Sequence, residues 1–338
     1  MVLSYYLLKP FYAAYWRLLN LINKRCETVF YCHTPVDMQN WLPVQQHLKP
    51  LRIVTDKAGT YRWLRAKGYA VSRLPVFPKA VIMCRVAAHK FPSAKVMKLG
   101  MTHGAYHFKR FTSPKHYAPF ALYLFTSEAD LRNAEAIGVS CGKAGGYPKL
   151  DPYLNAPITP REAQTKPRLL FTATYDSGGM SAVDRWIDHL PALTTRYEVF
   201  VSLHPWISAQ YIAKVKSMPQ VHYIADSPLP FIAQADVVVV DTSSIIADCC
   251  AFDKPLISWA LPPSPRSVPQ ITEILERISI RVKSIDELET AILRALAQPD
   301  EFKEQRANAN SIFFDALDGN AGQRSADHIL NLLPELKP

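Results

Sequence analysis

Two histidines closely follow apolar runs of the kind that form buried strands. His103 lies four residues after the run 95–99 and precedes Gly104, and His204 immediately follows the run 197–203. A histidine in a ligand site can take a proton from a hydroxyl group near neutral pH, and a glycine beside it allows a tight turn or a close approach by a ligand. The pair therefore predicts acid–base chemistry on a hydroxyl group. The competing interpretation of either histidine alone is that it caps a turn.

A third polar segment follows four consecutive valines, 237–240, and opens a predicted helix. Its polar residues are Asp241, Thr242, Ser243, Ser244 and Asp248. Hydroxyl groups together with the free backbone N–H groups of a helix start suit a phosphate group. Ordinary N-capping is the alternative, but it needs one hydroxyl and this segment has three. We therefore expect a phosphate group to bind here.

The elements that must position these residues are short apolar runs separated by helix-length segments. The runs are 28–32, 51–55, 81–84, 95–99 and 122–126, then, after a proline-rich linker at 151–167, 168–173, 197–203, 237–240 and 255–259. This alternation is typical of βαβ units with a parallel sheet. It predicts an α/β protein of two Rossmann-like, doubly wound domains that face an interdomain cleft, with ligands outside the carboxyl ends of the strands.

The predicted boundaries are an N-terminal domain at 26–155, a C-terminal domain at 165–320 and a helix at 321–338 that crosses back to the first domain. Neither Gly-x-Gly-x-x-Gly nor a P-loop occurs, which disfavours dinucleotide oxidoreductases and P-loop NTPases. The six cysteines form no Cys-x-x-Cys pair, so we expect reduced thiols in a cytoplasmic protein with neither a metal nor a cofactor.

The net charge of +10 is unevenly distributed. Residues 1–150 hold 22 basic and 6 acidic residues, a charge of +16, whereas 151–338 hold 17 basic and 23 acidic residues, a charge of −6. A basic half suits an anionic partner such as a membrane surface or a phosphate-rich polymer; a bias toward solubility is the alternative. Nucleic acid is disfavoured because no basic run of five occurs.

The segment 1–25 is rich in leucine and aromatic residues. Lys9, Pro10 and Arg17 interrupt it, so it lacks the roughly 18 apolar residues that a spanning helix needs. It is predicted either to lie in the membrane interface or to dock on the protein's own core.

Several short motifs occur in a characteristic order. They are His103-Gly104, Gly146-x-Pro148-x-x-Asp151, Thr172–Tyr175, Leu203-His204-Pro205, Asp241–Asp248 and Lys254-Pro255, with Asp318–Ser325 near the end. This order resembles the CDP-glycerol glycerophosphotransferase family, the polymerases and primases of the teichoic-acid type, over residues 28–330. Three features depart from that family, and one is that Lys149 stands where the Gly-x-Pro motif usually has Arg. Thr102 stands where the family usually has Trp, and an arginine that usually follows the strand at 168–173 is absent.

The resemblance implies a GT-B fold and transfer of glycerol phosphate, or a similar polyol phosphate, from a CDP-linked donor to a membrane-anchored saccharide or polymer. It makes His103 the general base and His204 the residue that stabilises or protonates the phosphate oxygens. The implied donor residues are Gly104, Thr174, Pro148, Asp241, Thr242, Ser243, Ser244 and Asp248, and Lys109 and Arg110 are the implied acceptor residues. The enzyme would work at the anionic inner face of the cell membrane.

Three alternatives stay open. A GT-B glycosyltransferase could use a nucleotide sugar for lipopolysaccharide or capsule. A UDP-sugar 2-epimerase would need paired carboxylates as acid and base. A non-catalytic membrane-associated protein could bind a polyanion through the basic half.

Overall fold

The computed structural model describes residues 3–22, 27–105, 113–156, 166–177, 179–262 and 270–338. These residues fall into two compact units. The first unit holds 3–22, 27–104, 113–156 and 314–338, and the second unit holds Ala105, 166–177, 179–262 and 270–313. The chain thus returns to the first unit at residue 314. The sequence pattern predicts this return at residue 321.

The first unit is built on a seven-stranded parallel sheet in the order β3-β2-β1-β4-β5-β6-β7. Its strands are β1 Val29–Tyr31, β2 Arg52–Thr55, β3 Val71–Arg73, β4 Ala80–Met83, β5 Met97–Met101, β6 Leu122–Phe125 and β7 Gly142–Ala144. Its helices are α1 Leu3–Leu21, α2 Pro35–Gln45, α3 Ala58–Ala66, α4 Pro114–Tyr117, α5 Glu128–Ala136 and α6 Asp151–Leu154, with 3₁₀ turns at Ala88–Lys90 and Pro148–Leu150. The chain reverses its winding direction between β1 and β4, which makes the carboxyl ends of those strands a ligand-binding position.

The second unit repeats this design with a six-stranded parallel sheet in the order β10-β9-β8-β11-β12-β13. Its strands are β8 Arg168–Ala173, β9 Glu198–Leu203, β10 Val221–Ile224, β11 Val237–Val240, β12 Leu256–Trp259 and β13 Ile280–Val282. Its helices are α7 Val183–Trp186, α8 Leu190–Leu193, α9 Ala209–Lys216, α10 Leu229–Gln234, α11 Ile245–Ala251, α12 Gln270–Ile278, α13 Ile285–Ala297 and α14 Lys303–Phe313, with a 3₁₀ turn at Ile187–His189. Here the winding direction reverses between β8 and β11.

The central strands are apolar on both faces because helices cover both sides of each sheet. All four valines of β11 are fully buried. On one face of the first sheet Phe30 stacks on Trp41 of α2 with ring centroids 4.4 Å apart. Burial of such large side chains supplies the main driving force for folding.

Helix α1 docks one face on the first unit. The Tyr12 hydroxyl donates to the Val76 carbonyl at 2.7 Å, and the Trp16 indole N–H donates to the Pro78 carbonyl at 2.7 Å. Trp16 is 7% exposed, whereas Phe11 is 73% exposed. One face of α1 therefore docks on the protein's own core, and the face that carries Phe11 is exposed. No helix among the described residues is long and apolar enough to cross a membrane.

Helix α15, Ala321–Leu330, belongs to the first unit and is followed by a 3₁₀ turn at Pro334–Leu336. The Asp151 carboxylate accepts hydrogen bonds from the N–H groups of Ala321 at 3.2 Å and Gly322 at 2.6 Å. An aspartate at a helix start satisfies backbone donors that the helix itself leaves unpaired. The Gly-x-Pro-x-x-Asp motif and the segment after Asp318 are thus in direct contact, through the hydrogen bonds of Asp151 to the start of α15.

Candidate functional site

In the second unit, a buried aspartate ties together the two strands at the reversal point. Asp241 directly follows β11, and its Oδ2 accepts the backbone N–H of Thr174, just after β8, at 2.7 Å. Asp241 is fully buried. Burial raises the pKa of its carboxyl group to about 7, although hydrogen bonds from Thr174 and Ala182 oppose the rise. This contact fixes the loop that carries the predicted phosphate site.

His204 lies at the carboxyl end of the neighbouring strand, β9. Its backbone N–H donates to the Ala173 carbonyl at 3.0 Å. The Trp206 backbone N–H donates to Nδ1 of His204 at 3.1 Å, so a neutral imidazole here carries its proton on Nε2. The ring makes edge contacts with Tyr175 and Trp206, whose ring centroids lie 5.4 and 5.6 Å away. A neutral His204 can therefore donate through Nε2, and its predicted contact with phosphate oxygens stays a prediction.

The three hydroxyl groups after β11 have separate environments. The Thr242 hydroxyl donates to the Met180 carbonyl at 3.1 Å, and the Ser243 hydroxyl accepts the Ile245 N–H at 3.2 Å. Ser244 is the N-cap residue of α11, and its side chain makes no capping hydrogen bond. Local structure thus accounts for Thr242 and Ser243, and Ser244 is the hydroxyl best placed to serve a ligand.

Burial separates the predicted donor residues into two groups. Thr174, Asp241 and Asp248 are all at most 3% exposed. Ser243, Ser244 and His204 are partly exposed. Contact with a donor stays a prediction for both groups. Sequence reasoning missed Asp176, which accepts both the N–H and the hydroxyl of Ser208, at 2.9 and 2.5 Å. Asp176 could have been found from its position three residues after the end of β8.

In the first unit, His103 follows β5 and its side chain is exposed. Its backbone carbonyl accepts a hydrogen bond from Nδ2 of Asn40, which is fully buried in α2, at 3.2 Å. Asn40 therefore holds the turn that presents His103 and Gly104. Sequence reasoning missed this positioning residue because it is 63 residues distant in the chain.

The remaining predicted residues are not all placed at a ligand site. Pro148 is buried at the start of the 3₁₀ turn Pro148–Leu150, next to the Asp151 cap of α15. This environment gives Pro148 a structural role, and its contact with a donor stays a prediction. Lys109 and Arg110 lie outside the described residues. Within the described ranges, no group of three histidine, cysteine, aspartate or glutamate side chains could hold a metal ion.

Each unit is a doubly wound α/β domain, as each half of a GT-B fold is. Solved structures with this architecture resemble the chain over more than nine-tenths of its length. The predicted GT-B fold, with two Rossmann-like domains, is therefore confirmed.

The solved structures that the chain resembles include three complexes with a ligand. The wall teichoic acid polymerase TagF with CDPG is 12% identical, with a TM-score of 0.67, and the match covers 97% of this chain and 94% of that one. S. aureus MnaA with UDP is 11% identical, with a TM-score of 0.63 and coverage of 93% and 99%. UDP-GlcNAc 2-epimerase from Neisseria meningitidis bound to UDP-GlcNAc is 13% identical, with a TM-score of 0.58 and coverage of 91% and 100%. No protein-family model and no curated protein matches the chain by sequence.

Proposed function

We propose that the protein transfers glycerol phosphate, or a similar polyol phosphate, from a CDP-linked donor to a saccharide or polymer of the cell surface. The observation that carries the proposal comes from the second unit, where His204 follows β9 and Ser244 follows β11, the two strands on either side of β8 at the reversal point. Such positions suit the phosphates of a nucleotide-linked ligand. The likeness to TagF with CDPG supports this choice of donor.

The proposed reaction is a displacement at phosphorus. The acceptor hydroxyl oxygen attacks the β-phosphorus of the donor, the bond from that phosphorus to the bridging oxygen breaks, and CMP leaves. His103 takes the hydroxyl proton and later releases it to water. His204 donates a hydrogen bond to a phosphate oxygen as negative charge develops there. A donor group fixed in advance of the reaction stabilises this charge without reorganisation.

The experiment that tests the proposal is a donor screen with paired variants. The full chain is incubated with CDP-glycerol and membrane or saccharide acceptors, and release of CMP is measured. We expect His103→Ala to lower the rate by roughly 10²–10⁴-fold and His204→Ala by roughly 10²–10³-fold. His47→Ala and His222→Ala provide matched controls in the first and second units, and both should leave the rate unchanged. Wild-type rates in either test variant would remove that histidine from the mechanism.

A UDP-sugar 2-epimerase is the second candidate, and the likeness to the Neisseria enzyme favours it. Its chemistry moves a proton at carbon, so incubation with UDP-GlcNAc in heavy water would put deuterium into the sugar. Deuterium uptake without CMP release from CDP-glycerol would overturn the transferase proposal. Transfer from a nucleotide sugar to an acceptor would instead favour the glycosyltransferase.

The outer face of α1 supports a membrane-bound acceptor. The exposed apolar residues of this helix are Leu7, Leu8, Phe11, Tyr15, Leu18 and Leu21, and Ile22 directly follows it. They recur at helical spacing opposite the docked Trp16. Together with the basic first half, this face supports the proposal that the enzyme lies on the anionic inner surface of the membrane.

A further inference from the structure

A second set of polar side chains lies at the carboxyl ends of β1, β2 and β4, and the mechanism above does not use it. We call it the His33 cluster; it consists of Tyr31, His33, Asp56, Arg85 and Lys90. The winding of the first sheet reverses between β1 and β4, so the cluster occupies the position at which doubly wound sheets bind ligands.

A chain of hydrogen bonds fixes the protonation of His33. The Tyr31 hydroxyl donates to Oδ1 of Asp56 at 2.6 Å, and its oxygen lies 3.0 Å from Nδ1 of His33. Because the phenol proton points to the carboxylate, the phenol oxygen accepts the proton of Nδ1. The other ring nitrogen, Nε2, is then left with a lone pair.

The surrounding charges keep this arrangement in place. Burial alone would raise the pKa of Asp56, but hydrogen bonds from Lys90 and Tyr31 lower it to about 2. Burial and the charges of Arg85 and Lys57 lower the pKa of His33 to about 4. His33 is thus neutral at pH 7, and Nε2 is a hydrogen-bond acceptor. Within the described part of the chain, Nε2 has no hydrogen-bond partner.

The cluster is open to solvent and mixes donors with acceptors. The side chains of His33 and Lys90 are 23% and 28% exposed. Arg85 binds Asp37 through Nε at 3.1 Å and Thr34 through Nη2 at 2.7 Å, which leaves the N–H groups of Nη1 for a ligand.

The charges in the cluster are already paired. Lys90 binds Asp56 at 2.7 Å, and Arg85 binds the buried Asp37. A free anion would have to compete with these carboxylates for the same cations. A hydroxyl group both donates and accepts, so it matches an acceptor nitrogen set beside N–H donors without disturbing either pair.

We propose that the His33 cluster binds the hydroxyl groups of a sugar or polyol, with Nε2 of His33 accepting a hydrogen bond from one hydroxyl and Arg85 or Lys90 donating to another. That this ligand is the acceptor substrate rests on the proposed function. That it offers hydroxyl groups is inferred from the residues of the first unit alone. Tyr31 is a positioning residue, because it acts through His33.

The test is nitrogen NMR of the full chain labelled with ¹⁵N-histidine, in which the resonances of His33 are identified by their loss in His33→Gln. In the free protein Nδ1 should carry the proton. The probes are glycerol and the methyl glycosides of glucose, mannose and N-acetylglucosamine, with inorganic phosphate tested separately. We expect a saturable shift of the Nε2 resonance with at least one hydroxyl probe. The absence of a shift with every hydroxyl probe, or a shift with phosphate alone, would overturn the proposal.

Tyr31→Phe separates positioning from packing. It should move the proton of His33 toward Nε2 and weaken binding of the active probe roughly tenfold, the effect of one lost hydrogen bond. Tyr69→Phe is the matched control in the same unit, and it should change neither quantity. Unchanged binding in Tyr31→Phe would show that the hydrogen bond from Nδ1 of His33 to the Tyr31 oxygen does not position His33 for the ligand. Because no donor is present, a positive result stands even if CDP-glycerol proves not to be the substrate.

Discussion

At the scale of single residues, the two neighbouring serines after β11 have different tasks. The Ser243 hydroxyl accepts a backbone N–H, whereas Ser244 makes no capping bond. Ser244→Ala should therefore weaken binding of CDP-glycerol about ten- to a hundredfold, through loss of a charge-assisted hydrogen bond of roughly 1.5–3 kcal/mol, with an unchanged melting temperature. Ser243→Ala should do the reverse: a loss of about 1 kcal/mol of stability with smaller effect on donor affinity. Calorimetric titration and thermal melts of the same two variants measure both. Equal donor affinity in wild type and Ser244→Ala would contradict a phosphate contact at this serine.

Asp241 should make stability depend on pH. The pKa of its carboxyl group is raised to about 7 from 3.8, so the folded protein holds a proton between these values that the unfolded chain has released. Stability then falls as the pH rises from about 4 to about 7, at up to ~1.4 kcal/mol per pH unit from this group. Asp241→Asn should flatten that slope in urea unfolding measured across the window.

The exposed Asp226 supplies the matched control for this experiment. Asp226→Asn should keep the wild-type slope. If the fall of stability with pH persists in Asp241→Asn, groups other than the Asp241 carboxyl group cause it, and that carboxyl group is ionised in the folded protein.

At the scale of elements, α1 should separate membrane binding from folding. Changing Leu8, Phe11 and Leu18 together to Gln removes apolar surface from the exposed face. Each buried side chain of this size contributes roughly 1.5–3 kcal/mol, so binding to phosphatidylglycerol-containing vesicles should weaken more than about tenfold, with an unchanged melting temperature. Trp16→Ala changes the docked face and should instead lower stability by about 3–5 kcal/mol.

The control for α1 places the same kind of change elsewhere. Leu293, Ile312 and Leu332 are also exposed apolar residues, and changing all three to Gln should leave vesicle flotation unaffected. Flotation that survives the α1 substitutions would show that membrane binding, if present, uses a different surface.

Helix α15 makes a second element-level prediction. A Cβ at Gly322 would lie 2.6 Å from the Pro43 carbonyl oxygen, a backbone atom that cannot turn away. Gly322→Ala should therefore destabilise the protein by about 1–3 kcal/mol, as overpacking does. Gly59, in α3, has no atom within 4 Å of its added Cβ, and Gly59→Ala should stabilise by roughly 0.5–1 kcal/mol. Urea unfolding compares the two; equal effects would contradict the close approach of α15 to α2.

The strands that sequence could predict are the buried ones. The run 237–240 coincides with β11, and 122–126 and 197–203 bracket β6 and β9 within one residue, because uninterrupted apolar runs have few alternatives in a doubly wound sheet. The edge strands of both sheets, β3, β7, β10 and β13, were not predicted. They are three or four residues long and partly exposed, so their sequences carry little apolar signal.

The candidate site was predictable only in part, for a related reason. Polar residues that follow strands can be found by position, as His103 and His204 were, and the same rule applied to β1 would have found His33. Asp151 and Asn40 could not be assigned in this way. Their partners, Gly322 and the His103 carbonyl, are 171 and 63 residues away, and no local pattern encodes such distances.

At the scale of the whole molecule, the order of the chain has a consequence for synthesis. The first unit needs both the beginning of the chain and residues 314–338. Ala326, Ile329, Leu333 and Leu336 are part of the same buried cluster as Trp41. While the ribosome is still making the second unit, that apolar surface has nothing to cover it. The second unit can therefore complete its sheet first, although it is encoded later, and a released chain truncated after residue 313 should carry one protease-resistant domain and one that lacks its last helix.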